Sequence, residues 1–498
     1  MNIYLKWSEY KHFPYEKELA RRELNSIFNT MSYVERDGEI LLSTSSGLCV
    51  DVAKRLTYFS SYRSGQDLKL TTQRLLEQTG KISLSKQSTR YSVHGLHEYK
   101  GKFNPQVARV LLNIFGAREG TRVLDPFCGS GTTLVESAHL GSEAVGTDLN
   151  PLAVFVTNAK IVALSTPVEQ LEFDLNSIVS AISMNKLSSL GPIQTARDKF
   201  MSSWFDDEHR RWVEYLIFVI SDVAENRSEI FLSLLSNLLR DYSLQEPSDL
   251  RIRRRFSPMP TEPIAVAFEK AARKFLSSLS STQKIIGVQP NRCTALLQDV
   301  RETASGKDIG LFDIAITSPP YATALPYIDT QRLSLVALGL CEPDEIRLLD
   351  GALIGSREAT TKQKAMIVAE MRSNESSIPA REMSFCTSLV QDLGPNDGFR
   401  RQAVPSLLYR YFVAMQSSLS AVLRRMKPGA PYALIVGHNH TILSGRRRDI
   451  DTPSHIASLA DHVGWHVEEL VPLQTYQRFG LHSSNAVAAE ALLILRAP

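Results

Sequence analysis

The stretch "TRVLDPFCGSGTTLVESAHLGSEAVGTDLNPLAVFVTNAK", residues 121 to 160, decides the fold. Thr121 to Leu124 reads as a short strand, and Asp125, Pro126 and the glycines at 129 and 131 turn the chain after it. Thr132 to Leu140 has the spacing of an amphipathic helix, and Ala144 to Thr147 is a second strand ending at Asp148. Strand, glycine turn, helix, strand and acid form the frame that receives an adenosine-bearing cofactor. A dinucleotide loop wants a third glycine where Leu134 stands, and the Gly-Lys-Ser/Thr of a triphosphate loop is missing. With no pyrophosphate to hold, the turn needs only close backbone approach to a small ligand. A carboxylate at Asp148 suits two ribose hydroxyls, which are donors. S-adenosyl-L-methionine meets all of these requirements.

A second stretch, "FDIAITSPPYATALPY" at 312 to 327, complements the first. Phe312 to Thr317 reads as a buried parallel strand. Pro319 and Pro320 then forbid both a ladder and a helix, because neither has an N–H and both fix φ. The last carbonyls of such a strand point outward at the sheet edge where ligands bind in open α/β folds. Tyr321 sets an aromatic face beside them.

DPFCGSGTT, then TDLNP, then SPPY, in this order, resemble the S-adenosylmethionine-dependent amino methyltransferases that modify exocyclic nitrogens of nucleic-acid bases. The resemblance implies a cofactor site at Asp125, Pro126, Phe127, Gly129, Gly131, Thr132, Asp148 and Asn150. The stretch "HGLHEYKGKFNPQVARVLL" at 94 to 112 resembles a segment the family places before the cofactor loop, and there Phe103 would pack on the cofactor. Asp299 corresponds to an acid that contacts the adenine, and otherwise reads as a helix-starting aspartate. Ser318, Pro319, Pro320 and Tyr321 match the catalytic tetrapeptide, and serine at its first position leans toward cytosine-N4 DNA enzymes over adenine-N6 ones. The implied partner is double-stranded DNA, with RNA as the alternative.

The chemistry fits the residues. An exocyclic amine is a poor nucleophile because its lone pair is delocalised into the ring. Acceptors at the Ser318 hydroxyl and the Pro319 carbonyl would bind it more tightly as positive charge grows on nitrogen, favouring the transition state. Tyr321 would stack against an extruded base. The sulfonium is already a good leaving group, so neither a metal nor a covalent enzyme intermediate is required. A catalytically inert nucleic-acid-binding protein is the reading from another class; both motifs being intact argues against it.

Composition is that of an ordinary globular chain: 498 residues, 43% hydrophobic, 22% charged, net charge +3. No run of 18 apolar residues suggests a membrane span, and the opening MNIYLKWSEYKHF has no signal-peptide core. The five cysteines (Cys49, Cys128, Cys293, Cys341, Cys386) form no CxxC pair, so a reducing cytoplasm is expected, without zinc or disulfides. His94 and His97 have helix-face spacing but no third ligand nearby in sequence, so no metal is expected. Lys100 and Lys102 could meet a phosphate or the cofactor carboxylate, or stay solvated. Arginine clusters at 251–255, 400–401 and 446–448 are candidates for phosphate contact, or simply solvated loops.

Strand-like runs at 121–124, 144–147, 294–299, 312–317, 432–437, 466–472 and 489–495 predict an α/β, Rossmann-like seven-strand methyltransferase sheet, the last strand antiparallel. Residues 1–75 predict a small α+β accessory domain of strand–helix–strand–helix, with the second helix in "CVDVAKRLTYFSSYR". Residues 90–164 would be the cofactor half of the core, 286–340 the catalytic half and 405–498 its C-terminal part. The insertions 165–285, largely helical, and 341–404 are too long for loops and are expected to read the target or to widen the core.

Overall fold

The computed structural model describes residues 2–498 except 30–32, 37, 44–49, 81–85, 100, 185–192, 250–251, 303–309, 323–327, 359 and 475–488. The N-terminal strands β1 (Asn2–Trp7), β2 (Tyr33–Arg36), β3 (Glu39–Ser43), β4 (Phe59–Ser64) and β5 (Asp67–Leu70) form an antiparallel sheet in the order β2-β3-β1-β4-β5. Ile3, Leu5 and Trp7 alternate onto its buried face, in the same apolar cluster as Leu19 and Leu24 of helix Pro14–Phe28. The α-helix expected across residues 49–63 does not form among the described residues. Val50–Arg55 makes a 3-10 turn, and the β-prone run Phe59–Ser64 pairs with β1 on one side and β5 on the other.

The main sheet contains β6 (Arg122–Asp125), β7 (Glu143–Asp148), β8 (Cys293–Leu297), β9 (Ile314–Thr317), β10 (Pro431–Gly437), β13 (His466–Gln474) and β14 (Ala489–Arg496). Their order is β13-β14-β10-β9-β6-β7-β8. The last strand is antiparallel and interior, paired with β10 on one side and β13 on the other. Between β10 and β13 a two-stranded ribbon, β11 (Asn439–Leu443) and β12 (Arg446–Ile450), stands apart from the sheet.

Alternation along the strands explains why both faces are covered. Val123, Ile314, Ile316, Ala433, Ile435, Leu492 and Ile494 enter one apolar cluster. Their neighbours Leu124, Ala315, Leu434, Val436, Leu493 and Leu495 enter the other. Leu171, Leu175, Leu216, Ile220, Phe231 and Phe268, from helices between 168 and 286, extend the first cluster. Ile367, Met371, Cys386 and Leu389, from helices Thr361–Ser373 and Ala380–Gln391, extend the second. Among the described residues no single helix is long and apolar enough to cross a membrane.

The N-terminal unit is bolted to the sheet. Buried Glu23 accepts from Thr57 N at 3.0 Å, Thr57 Oγ1 at 2.5 Å and Asn113 Nδ2 at 2.7 Å. Arg22 grips Glu469 of β13 with both Nη atoms, at 2.5 and 2.7 Å.

Candidate active site

The chain runs outward from β6 through β7 to β8, then returns to β9 on the other side of β6, so the topology reverses between β6 and β9. These two strands are parallel, with Val123 opposite Ile314 and Leu124 opposite Ala315. The turn after β6 and the lip after β9 therefore share one sheet edge, at the crevice where such folds bind ligands. Thr317 Oγ1, the last residue of β9, donates to Asp125 Oδ1, the last of β6, at 2.6 Å. Thr133 Oγ1 adds a longer bond to Ile316 O at 3.4 Å.

The glycine turn is shaped by its own backbone. Gly129 and Gly131 adopt φ of +48° and +77°, which side-chain-bearing residues rarely take. A Cβ on Gly131 would lie 2.5 Å from Thr157 Cγ2. Thr157 cannot readily retreat, because its Oγ1 donates to Gly129 O at 2.9 Å. A Cβ on Gly129 would meet only Tyr99 Cε1, at 3.5 Å, so this side of the turn stays open. Buried Lys160 donates to Ser130 O at 2.7 Å.

Two carboxylates frame the turn. Asp125 is buried, accepts from Phe127 N at 3.2 Å and leaves its Oδ2 without a partner among the described residues. Burial pushes its carboxyl up to about 6, against the Thr317 and Thr133 hydroxyls that lower it. Asp148 is half-buried at the end of β7, its Oδ2 accepting from Gly129 N at 2.9 Å and its Oδ1 from Asn150 N at 2.8 Å. Burial raises it to about 6 as well, with those backbone N–H groups opposing.

The other expected cofactor residues have different surroundings. Asn150 is buried; its Oδ1 caps helix Pro151–Ser165, and its Nδ2 donates to Gln331 Oε1 at 2.5 Å and to Tyr99 OH at 3.3 Å. Asn150 thus positions the turn. Thr132 is buried at the start of helix Thr132–His139, Pro126 accepts from Thr147 Oγ1, and Phe127 packs on the second apolar cluster. Phe103 packs on the first cluster, and the aromatic set against Gly129 is Tyr99. Asp299 lies beyond β8, which ends at Leu297, and is held by the Arg301 guanidinium at 2.5 to 3.0 Å.

The lip is equally defined. Ser318 Oγ donates to Ile435 O of β10 at 3.2 Å, which leaves its lone pairs as acceptors. Pro319 is buried and Pro320 half-buried. Tyr321 OH donates to Glu490 Oε1 of β14 at 2.7 Å, and its ring lies on Gly437, where a Cβ would come within 2.8 Å of Cε2. Tyr99, Thr157, Thr317, Gln331, Gly437 and Glu490 were invisible as site residues in the sequence. Tyr99, Thr157 and Thr317 lie inside the motif-bearing stretches of the sequence but had no site role there, Gln331, Gly437 and Glu490 lie outside those stretches, and only the folded sheet brings all six to this edge.

His94 and His97 do not form a pair. His97 Nε2 bonds Ser236 Oγ at 3.0 Å, while His94 Nε2 lies 2.7 Å from Glu136 Oε1. His94, Glu136 and His139 bring donor atoms within 4.8 Å of one another. Tyr91 OH at 2.8 Å and Arg109 Nη1 at 3.1 Å already engage Glu136, making a buried polar network. Lys102 donates to the carbonyls of Thr89 and His94, and Lys100 lies outside the described residues.

The open side of Gly129 and the Asp148 carboxylate at the end of β7 are the features that would receive an adenosyl amino acid. Comparisons with known proteins identify the class of the chain. Residues 96–189 match the family model described as "RMKL-like, methyltransferase domain". The Type II methyltransferase M.MvaI of Kocuria varians is 24% identical over 71% of this chain and 78% of its own length. M.BsoBI of Geobacillus stearothermophilus, also a Type II methyltransferase, is 22% identical over 69% of this chain and 74% of its own. A tRNA (guanine(10)-N2)-dimethyltransferase of Methanothermobacter thermautotrophicus is 42% identical, but over only 10% of this chain and 16% of its own. The chain is a methyltransferase with S-adenosyl-L-methionine as its methyl donor, and its relatives across most of its length are Type II methyltransferases.

Proposed function

We propose that this methyltransferase modifies an exocyclic amino group of a base in double-stranded DNA, the N4 of cytosine, as the modification arm of a cytoplasmic restriction or defence system. One observation carries the reading: the Thr317–Asp125 hydrogen bond, which joins the catalytic strand to the cofactor turn at one sheet edge. When bound, the cofactor supplies an electrophilic methyl group on a positive sulfur. The chain's residues do the rest. Ser318 Oγ and the Pro319 carbonyl accept from the amine and favour it as positive charge develops on nitrogen. The two prolines hold those acceptors stiffly, and a misplacement near 1 Å costs on the order of 100-fold in rate. Tyr321, anchored through Glu490, offers its ring to an extruded base.

The test is to incubate the protein with methyl-labelled cofactor and mixed-sequence duplex DNA, digest the DNA to nucleosides and identify the labelled one. Label in N4-methylcytosine supports the proposal. Label in N6-methyladenine replaces the target base. A second reading, exocyclic-nitrogen methylation of tRNA, draws on the local match to the tRNA enzyme; label in tRNA and none in duplex DNA would favour it. Cofactor binding with no transfer to either would leave an inert nucleic-acid-binding protein.

A further inference from the structure

Three arginine clusters were candidates for phosphate contact, and the structure uses them differently. In the 251–255 cluster, Arg255 donates to the carbonyls of Asp241, Ser243, Ser257 and Pro258. Arg254 donates to Ser203 O and covers the Trp204 ring at 4.6 Å. These two guanidinium groups staple a loop. The ribbon β11–β12 is built otherwise. Leu443 pairs with Arg446 across the two-residue turn Ser444-Gly445, both at positive φ (+47° and +75°), which matches the twist of a tight hairpin. Leu443 and Ile450 anchor one face of the ribbon in the second apolar cluster, and Arg448 on that face binds Asp392 and Ser388. Arg447 points the other way, in an exposed pair with Asp449 that holds it weakly. The Arg446 guanidinium is exposed at the tip and makes no ion pair among the described residues.

The ribbon tip carries a second element. Asp397 Oδ2 accepts from Ser444 N at 2.9 Å, and Ser444 Oγ donates to Asp392 O at 3.0 Å. These bonds fix the short helix Phe399–Gln402 beside the tip. Phe399 is 74% exposed, and Arg400 lies over its ring at 5.7 Å. Phe399, with a cation on its ring, lies beside the tip where Arg446 and Arg447 are exposed. At its base the ribbon leaves β10 directly after Gly437, the residue under the Tyr321 ring, and Asn439 Nδ2 donates to Ala322 O. The ribbon is thus rigidly coupled to the catalytic lip. Five paired residues span about 16 Å, enough to enter a major groove about 8.5 Å deep.

We propose that ribbon β11–β12 and helix Phe399–Gln402 form the surface that holds duplex DNA beside the lip, with Arg400, Arg446 and Arg447 on phosphates and Phe399 against a base or sugar. The inference rests on the DNA reading above and names the element that reading lacked. Charge complementarity selects the partner: residues 439–450 and 399–401 carry five arginines, of which Arg448 pairs with Asp392, Arg401 with Asp397 and Arg447 with exposed Asp449, so Arg400, Arg446 and Arg447 supply the positive charge open to a phosphate. Helices of the 165–285 insertion extend the first apolar cluster.

The test uses the full chain and a fluorescein-labelled 30-base-pair duplex of mixed sequence, with affinity measured across a potassium chloride series. In the Arg400→Ala/Arg446→Ala/Arg447→Ala variant the log–log salt slope should become shallower by about 2 to 3, since each lost phosphate contact removes about 0.9. Phe399→Ala should weaken binding with the slope unchanged. Cofactor binding by calorimetry should stay at the wild-type value in both, which confirms that the variants fold. A wild-type protein that binds and methylates duplex DNA, with the triple variant keeping the full slope, overturns this inference and leaves the DNA reading standing. A wild-type protein that binds only RNA overturns both.

Discussion

Gly437→Ala isolates the placement of the Tyr321 ring from every other property of the site. Gly437 ends β10 in extended backbone and has no positive φ, so alanine strains no dihedral. Its Cβ, however, would stand 2.8 Å from Tyr321 Cε2, 3.0 Å from Cζ and 3.2 Å from Cδ2. Ordinary carbon contacts begin near 3.5 Å, so the ring must move by roughly 0.7 Å. It cannot slide freely, because its hydroxyl is tied to Glu490 at 2.7 Å. The movement therefore tilts the ring or breaks that bond. Overpacking of this kind costs about 1–3 kcal/mol of stability, a modest change. The rate suffers more: displacement of this size at a stacking face predicts about a 10- to 100-fold loss in methyl transfer. The assay is single-turnover transfer to duplex DNA at saturating cofactor, with calorimetric cofactor affinity as the control. Gly351→Ala, where the nearest atom is Glu358 O at 3.9 Å, is the neutral comparison. A folded Gly437→Ala protein that binds cofactor and transfers methyl at the full rate would refute the role given to the Tyr321 ring.

Other perturbations probe the cofactor side and the scaffold. Asp148, raised to about 6 by burial, must be ionised to accept from ribose hydroxyls, so cofactor affinity should fall toward tenfold per pH unit below about pH 6. Calorimetry from pH 5 to 8 checks this, and Asp148→Asn should bind weakly at every pH. Thr317→Val removes the donor to buried Asp125, and should cost about 1–3 kcal/mol in urea unfolding and push the Asp125 carboxyl further up. Glu23, raised to about 7 by burial, favours the folded state most when protonated. Its contribution is complete below its unfolded value near 4.5 and is lost as pH rises through about 7, a change of about 3 kcal/mol. Glu23→Gln, which turns an amide toward the Thr57 N–H, should remove that part of the pH dependence in unfolding at pH 5 and 8.

The sheet was legible because its strands are short, apolar and bounded by turn residues, so all seven runs could be located from pattern alone. The interior place of the last strand was not, since "AEALLILRA" reads the same at an edge or between two partners. The strand at Phe59–Ser64 was missed because "KRLTYFSSYR" also fits helical spacing; its pairing with β1 and β5 decided the matter. The ribbon β11–β12 was hidden for a different reason. Its strands are polar on one face, and the Ser-Gly turn is a weaker signal than Asn-Gly. At the site, motifs located the glycine turn and the proline lip, while the contacts around them were not readable. Asn150 also caps a helix, Asp299 also pairs with Arg301, Phe103 packs on the first apolar cluster, and Tyr99 is the aromatic beside Gly129. Such assignments depend on side-chain direction across elements distant in sequence, which spacing does not encode. The arginine clusters show the same limit: composition ranked them alike, and only their hydrogen bonds separate loop staples from outward charges.

Ser318→Ala tests most directly whether the proline-stiffened lip is the catalytic edge. The variant keeps the backbone, loses one acceptor for the base amine and leaves the glycine turn untouched. Measured by single-turnover transfer to duplex DNA, its rate should fall by about 10²- to 10³-fold, the usual scale for removing one oriented polar group from a developing charge. Cofactor affinity should remain at the wild-type value. A variant that transfers methyl at the wild-type rate would contradict the account.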